Sequence, residues 1–329
     1  MEKPVALEIK PFSVTSLFAG CGGFDLGFLG GFEFRDQAIA RTRFNIAAAY
    51  DIDAHCEVTY KLNIGSQFTK CDLSSYPAAN ITKAEVLIGG FPCQDFSHCG
   101  PRKGLKSARG RLYKALVDYC KIHQPKLFVA ENVSNLATME SGKILETIMA
   151  DFKAVGYRVA HWSLYAPDYG VPQARNRIFI IGVRKDLPGF PALPHPAFAS
   201  NHRTVKWAIG DLENISDDTI ANQSQYFKAK RAINGHGQGD EISQADKPGY
   251  TVRANAKSRV HFHYALPRRL TIRECARLQT FPDSFAFPHS ATTNLMQIGN
   301  AVPPLLAYAV AVSCQGYLES IHNSQKKAA

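Results

Sequence analysis

Cys93 is the residue around which reactive chemistry can be assembled. It lies in Gly89-Gly90-Phe91-Pro92-Cys93-Gln94-Asp95-Phe96-Ser97, directly after the apolar run Glu85-Val86-Leu87-Ile88. That run reads as a buried strand of an α/β sheet, and Pro92, having no N–H for a ladder, ends it. The thiol then stands at the carboxyl end of a strand, on the rim where open α/β sheets bind ligands. Glu131, following the strand Leu127-Phe128-Val129-Ala130, brings an acid to the same rim, so that nucleophile and acid form a pair. Alone, each has a plainer reading, a small buried apolar residue for Cys93 and a structural acid for Glu131. From Ser97 to Lys114 the chain carries Arg102, Lys103, Lys106, Arg109, Arg111 and Lys114 and no acid, and such a loop draws a polyanion toward the thiol.

The elements that must position these groups can be read in order. Phe12 to Phe18 forms a first strand and runs into Ala19-Gly20-Cys21-Gly22-Gly23-Phe24-Asp25, a glycine turn that lets backbone approach a ligand before a helix starts. A dinucleotide fingerprint beginning at Gly20 would need glycine where Asp25 stands, so the turn is of a nucleoside type and fails the NAD test. Phe44 to Tyr50 is a second strand. Asp51 after it is the candidate acceptor for ribose hydroxyls, and Asp53 the N-cap of a helix from Ala54 to Leu62. Asp72, after a short strand at Gln67-Phe68-Thr69, is either an acceptor for an adenine amine or a turn aspartate. Helices are expected near Leu112–Ile122 and over residues 142–155. Gln173, Arg175 and Arg177 alternate onto one face of an extended segment that opens the strand Ile178–Val183. After Arg184 composition shifts: Pro188, Pro191, Pro194 and Pro196 mark a linker into a loop-rich region without clear period. Its end, from Thr251 to Arg277, is basic, with Arg268 and Arg269 expected to face a duplex. Thr271 to Leu278 reads as a helix, Gln297 to Pro304 as a turn, and Leu305 to Tyr317 as a closing helix that returns to the first domain.

The 329 residues suit two domains, or one large domain with an insertion, and 45% hydrophobic content allows a full core. With 38 basic against 28 acidic side chains the net charge is +10, which favours a nucleic-acid partner. Eight cysteines without CxxC or Cys/His ligand spacing indicate neither zinc nor a disulfide framework, and fit a reducing cytosol. The amino terminus lacks the apolar stretch of a signal peptide, and no apolar run approaches the roughly 18 to 20 residues of a membrane span.

In order and spacing the motifs resemble those of the DNA (cytosine-5)-methyltransferases of bacterial restriction-modification systems. The matching stretches are FAGCGGFDLGF (18–28), GGFPCQDFS (89–97), ENV (131–133), QARNR (173–177), RRLTIRECARLQTFPDSF (268–285) and QIGNAVPP (297–304), which bracket nearly the whole chain. The resemblance implies an α/β, Rossmann-like, AdoMet-dependent methyltransferase fold. Its catalytic domain would comprise residues 1–183 plus 286–329, with a smaller loop-rich target-recognition domain at 184–285. It also implies that Cys93 attacks C6 of a cytosine flipped out of duplex DNA, that Glu131 serves N3 and the exocyclic amine, that Arg177 contacts the base carbonyl, and that Arg175 helps fix the catalytic loop. For S-adenosyl-L-methionine it implies Phe18 packed on adenine, Gly20, Gly22 and Gly23 beside the methionine part, Asp51 and Asp72 at ribose and adenine, Ile52 beneath the adenine, and Asn300 near the amino-acid end. Ser97, Arg109 and Thr251 correspond to positions that contact DNA phosphates.

The same resemblance implies a cytoplasmic, nucleoid-associated bacterial enzyme, monomeric on double-stranded DNA, needing no metal and no membrane, and protecting host DNA from a partner endonuclease. A tRNA cytosine-5 methyltransferase on the same fold, or a catalytically silent DNA-binding protein, are the alternatives. Three departures from the family pattern stand out. About ten extra residues, Glu33 to Arg43, precede the second strand. Ile52 replaces a frequent aromatic. Ser107-Ala108 precede Arg109-Gly110 where an acid is common.

Overall fold

The computed structural model describes residues 10–92, 112–229, 241–254 and 260–328. Cys93, Ser97 and Arg109, with the basic loop through Arg111, therefore lie outside the described residues.

A seven-stranded sheet carries the fold. Its members are β1 (Phe12–Leu17), β4 (Phe44–Asp51), β5 (Phe68–Lys70), β6 (Val86–Gly90), β7 (Leu127–Val133), β8 (Tyr157–Tyr165) and β9 (Asn176–Arg184), ordered β5-β4-β1-β6-β7-β9-β8. β1, β4, β5, β6 and β7 pair in parallel, whereas β9 runs antiparallel to both β7 and β8. The central strands are buried on both faces, as continuous apolar runs demand. Polar residues inside β1 are bonded: Thr15 Oγ1 donates to Thr82 O at 2.7 Å and Ser16 Oγ to Asp25 Oδ2 at 2.9 Å. β8 has no counterpart in the sequence reading, because as an edge strand it mixes exposed Arg158, His161 and Ser163 with buried Trp162 and Leu164.

Helices cover both faces. α1 (Gly23–Leu29) and α8 (Pro304–Ala328) pack on one side, and α3 (Lys114–His123) and α4 (Lys143–Ala154) on the other, while α2 (Ala54–Asn63) follows β4. The α1–α8 approach is so close that a Cβ at Gly27 would stand 2.3 Å from Ala307 Cβ. Across β7, Phe128 faces Gly182 and stacks on Phe152 with ring centroids 4.1 Å apart; a Cβ at Gly182 would lie 1.8 Å from the Phe128 ring. α8 begins one residue before, and runs well past, the expected Leu305–Tyr317. Contrary to the sequence reading, a helical window within 291–324 reaches a mean hydropathy of 1.4, enough by length and composition to cross a membrane. Two thirds of it (67%) is buried inside the fold, against α1 among others, so its apolar character is that of a core helix.

The extra residues before the second strand form a hairpin, β2 (Phe32–Phe34) and β3 (Gln37–Ile39). Between 184 and 285 regular structure is sparse, as composition indicated: α5 (Val205–Ile209) and α6 (Ile272–Leu278), followed by α7 (Ala291–Asn300). Among the described residues this region has no core of its own; Val205, Ile209, Val260, Leu270 and Ile272 join the cluster that contains α1 and α8. Buried guanidinium groups hold it together. Arg273 donates to Ala221 O, Pro282 O and Phe285 O at 2.7 to 2.9 Å. Thr271 and Glu274 close a capping box on α6. Arg268 and Arg269 do not form the expected duplex-facing surface. Arg268 grips the buried Glu274 carboxylate through both terminal nitrogens at 2.8 and 2.7 Å, and Arg269 is buried and donates to Val260 O. Burial of Glu274 requires that counter-charge.

Candidate active site

Register places the site residues in one row. Tyr50, Leu17, Gly89 and Ala130 are aligned across β4, β1, β6 and β7, so the next residues, Asp51, Phe18, Gly90 and Glu131, share the carboxyl rim. With strands about 4.8 Å apart, Asp51 and Glu131 stand roughly 14 Å from each other along the rim.

At the β1 end the chain turns through left-handed backbone at Phe18 (φ 57°), Gly20 (φ 55°) and Gly22 (φ 94°). Asp51 locks this turn: Oδ2 accepts from Gly20 N at 2.9 Å and Oδ1 from Asp53 N at 3.0 Å. Each oxygen keeps further lone-pair capacity, as a ribose diol requires. Burial raises the Asp51 pKa against the pull of these backbone bonds. Beside it Ile52 is 63% exposed, an apolar surface with room for a ring. Asp53 is the N-cap of α2, as expected, accepting from His55 N at 2.8 Å. Asp72 is exposed; one oxygen accepts from Ser74 N at 2.9 Å, and the Ser74 bonds hold its carboxyl below the usual range.

The glycines divide by cause. A Cβ on Gly20 would meet open space, so this position faces a ligand's side of the turn. On Gly22 it would stand 2.8 Å from Ile64 Cγ1, and on Gly23 2.6 Å from Val302 O. Those two are glycine because α2 and the returning 301–304 segment press on them, whatever their N–H groups contact. Asn300, exposed at the end of α7, directly precedes Ala301, whose Cβ would stand 3.0 Å from a Cβ on Gly23. Asp25, used in the sequence reading only to reject a dinucleotide fingerprint, lies beneath the turn fully buried, accepting from Ser16 Oγ and from Tyr60 OH at 2.8 Å. Burial pushes its pKa up to about 6. An exposed apolar face, a two-oxygen acceptor and an open backbone turn on one rim fit a nucleoside-bearing group.

At the β6–β7 end Gly90 pairs with Glu131, and a Cβ on Gly90 would be 3.3 Å from Glu131 Oε2. The missing side chain leaves that oxygen its space beside Phe91-Pro92, the entry to Cys93. Glu131 Oε1 pairs with Arg177 Nε at 2.7 Å, the side chains being 10% and 13% exposed. Burial raises the Glu131 pKa, opposed by the charges of Arg177 and Arg175. Such a carboxyl can hold a proton and donate it in a hydrogen bond while Arg177 fixes its orientation. Asn132, which the sequence reading gave no role, donates to Phe91 O at 2.9 Å and so ties β7 to the backbone two residues before Cys93.

Arg175 sits behind this pair, buried, with bonds to Val252 O, Gly299 O and Ala301 O at 2.9 to 3.2 Å. Gln173, also buried, donates to Leu278 O and Gln279 Oε1 and accepts from Val252 N. The alternating trio is thus split: Gln173 and Arg175 latch Val252 and the 278–301 segment to the sheet, and Arg177 forms the ion pair with Glu131. Thr251 is half-buried and its hydroxyl donates to Ala174 O at 2.6 Å, so a phosphate contact through that proton requires exchange of this bond.

The sequence matches the family model for C-5 cytosine-specific DNA methylases over residues 12–316. It is 32% identical to the Type II methyltransferase M.FnuDI of Fusobacterium nucleatum, covering 91% of this chain and 92% of that protein. It is 35% identical to the Type II methyltransferase M1.HphI of Haemophilus parahaemolyticus, covering 90% and 84%. In fold it is similar to the S. pombe Dnmt2 methyltransferase, with a TM-score of 0.67 at 18% identity over 93% of this chain and 99% of that one. A family match over nearly the whole length, relatives aligned over most of theirs, and an acid-bearing strand beside a Pro-Cys strand exit agree: the chain belongs to the C-5 cytosine-specific DNA methylases and is a DNA (cytosine-5)-methyltransferase of the Type II restriction-modification kind.

Proposed function

We propose that this enzyme methylates C5 of a cytosine flipped out of double-stranded DNA, with Cys93 as nucleophile and Glu131 as proton donor, using S-adenosyl-L-methionine. The observation that carries the reading is Glu131, buried and raised in proton affinity, standing beside Gly90 at the strand exit that leads to Cys93. Flipping is required because a stacked base leaves no room for thiol and methyl donor on opposite ring faces; it costs a few kcal/mol of pairing and stacking. The Cys93 thiolate forms a bond to C6 while Glu131 donates to N3, and the ring electrons collect at C5. Arg177 holds Glu131 and contacts the base carbonyl oxygen. After methylation a water-borne base takes the C5 proton, the C6–S bond breaks, and the thiolate returns. When bound, S-adenosyl-L-methionine supplies an electrophilic methyl group on a sulfonium. Asp51, Ile52, Phe18 and the backbone at Gly20 would hold it, with Gly22, Gly23, Asp72 and Asn300 around it.

On this reading residues 184–285 read the target and Ser97, Arg109 and Thr251 touch phosphates, which position the duplex without reading it. The enzyme works in the bacterial cytoplasm at the nucleoid, as a monomer on DNA, and shields host sites from a cognate endonuclease. The test is mechanism-based trapping. A duplex carrying 5-fluorocytosine should crosslink to wild type in the presence of S-adenosyl-L-methionine and not to Cys93→Ser, with tRNA a poor competitor. Equal crosslinking of the serine variant removes Cys93 as nucleophile, and efficient competition by tRNA moves the substrate to RNA.

A further inference from the structure

The β2–β3 hairpin, which takes in most of the extra segment Glu33 to Arg43, reaches across to the 184–285 region. Its root is fixed to the end of α1. Gly30 and Gly31 take φ of 58° and 73°, Gly31 N donates to Ile39 O at 2.9 Å, and Thr42 N donates to Leu29 O at 3.0 Å. Its inner face is buried through Phe34, whose ring lies 5.9 Å from that of Trp207 in α5. At its tip Arg35 NH1 meets Asp211 Oδ2 at 2.6 Å and its guanidinium lies 6.0 Å from the Trp207 ring. The other Asp211 oxygen, Oδ1, takes Arg277 NH1 of α6, also at 2.6 Å. One carboxylate thus joins the hairpin to α6.

Arg35 holds φ of 56° at the first position of a two-residue turn, where glycine or asparagine is the relaxed choice. A left-handed non-glycine residue persists where its surroundings over-determine it. Here the over-determining contacts are with Asp211 and Trp207, so the tip is shaped by what it touches and not by its own turn chemistry.

We propose that the β2–β3 hairpin is a strut that sets the 184–285 region against the methyl-transfer sheet, and that Arg35 and Asp211 are positioning residues for binding of duplex DNA. The inference rests on the reading of 184–285 as the part that engages the target. A strut of this kind pre-organises two surfaces that must grip one duplex, so its loss raises the ordering cost of binding and leaves the assembled complex unchanged.

The decisive variant is Arg35→Gly, which relaxes the turn while removing the charge; Arg35→Lys keeps the charge, and Asp211→Asn removes its partner. The expected result for Arg35→Gly and Asp211→Asn is a KM for cognate duplex raised about fivefold, the scale of a partly exposed ion pair. In Arg35→Gly the single-turnover rate at saturating DNA, S-adenosyl-L-methionine affinity and melting temperature should stay near wild type, Arg35→Lys should recover most of the KM, and Asp211→Asn should add a loss of melting temperature because it also strips one carboxylate from the buried Arg277. An unchanged KM in Arg35→Gly, or a rise matched by loss of melting temperature and of saturating rate, overturns the strut and leaves target recognition by 184–285 intact. If wild type itself shows no preference for a duplex site, the underlying reading fails instead.

Discussion

Replacing Glu131 with Gln separates the proton chemistry from the shape of the site. The amide keeps the volume and one acceptor for Arg177, whose Nε lies 2.7 Å from Glu131 Oε1, but removes the ionisable proton aimed past Gly90. General acid catalysis by a placed carboxyl contributes about 10²- to 10⁴-fold, so the barrier should rise by about 3 to 5 kcal/mol. The fold should also lose stability, because a pair only 10% and 13% exposed becomes a lone guanidinium beside an amide; about 2 kcal/mol is expected, less than the roughly 3 to 5 kcal/mol for outright removal of a buried partner. Asp51 and Gly20 lie two or three strands away, roughly 10 Å or more, so S-adenosyl-L-methionine affinity should change by less than about twofold. Burial raises the Glu131 pKa. The protonated donor is therefore present below that raised value and lost as pH rises through it, giving the wild-type rate a falling limb that the Gln variant lacks. Single-turnover methylation of a cognate duplex across pH, with isothermal titration of the methyl donor, reads all three quantities. A Gln variant within about threefold of the wild-type rate, or one that keeps the falling limb, refutes the assignment.

Two further expectations concern groups around the glycine turn. Asp25 is fully buried and its pKa is raised from 3.8 to about 6, so its contribution to stability is fully present below about pH 4 and is lost as pH rises through about 6. Two pKa units correspond to about 3 kcal/mol, and urea denaturation from pH 4 to 7 should show a decline of that order that Asp25→Asn lacks; parallel curves for the two proteins would refute it. Gly20→Ala should weaken S-adenosyl-L-methionine binding with a stability cost of only about 1 to 2 kcal/mol for its left-handed backbone. Gly23→Ala, whose Cβ would stand 2.6 Å from Val302 O, should chiefly unfold the protein, and thermal melting beside ligand titration distinguishes the two.

Much of the scaffold was legible because it depends on local signals. The apolar runs ending at Phe18, Tyr50, Ile88 and Ala130 became β1, β4, β6 and β7, with ends shifted by one to three residues, and Asp53 capped the helix it precedes. Glu131 and Asp51 were recognisable as rim acids since strand ends are written in sequence. What stayed hidden depends on partners far along the chain. Arg268 looked like surface charge because nothing local announces that Glu274 is buried behind it. Asn132 gains a role only when β7 lies beside Phe91, and the hairpin tip is intelligible only once Asp211 is seen 176 residues on. β8 was missed because an edge strand with one wet face carries a diluted hydrophobic pattern.

The reversed direction of β9 decides which of its ends meets Glu131. Every other sheet member that serves the site offers its last residues to the rim, whereas β9 offers its first, Asn176 and Arg177. Turned the other way, a nine-residue strand would carry the Arg177 guanidinium to the far edge of the sheet, roughly 20 Å from the carboxylate it steadies. A single inverted strand therefore lets the incoming chain, still bonded at Gln173 and Arg175 to Val252, hand its next alternate side chain directly to the acid at the exit of β7.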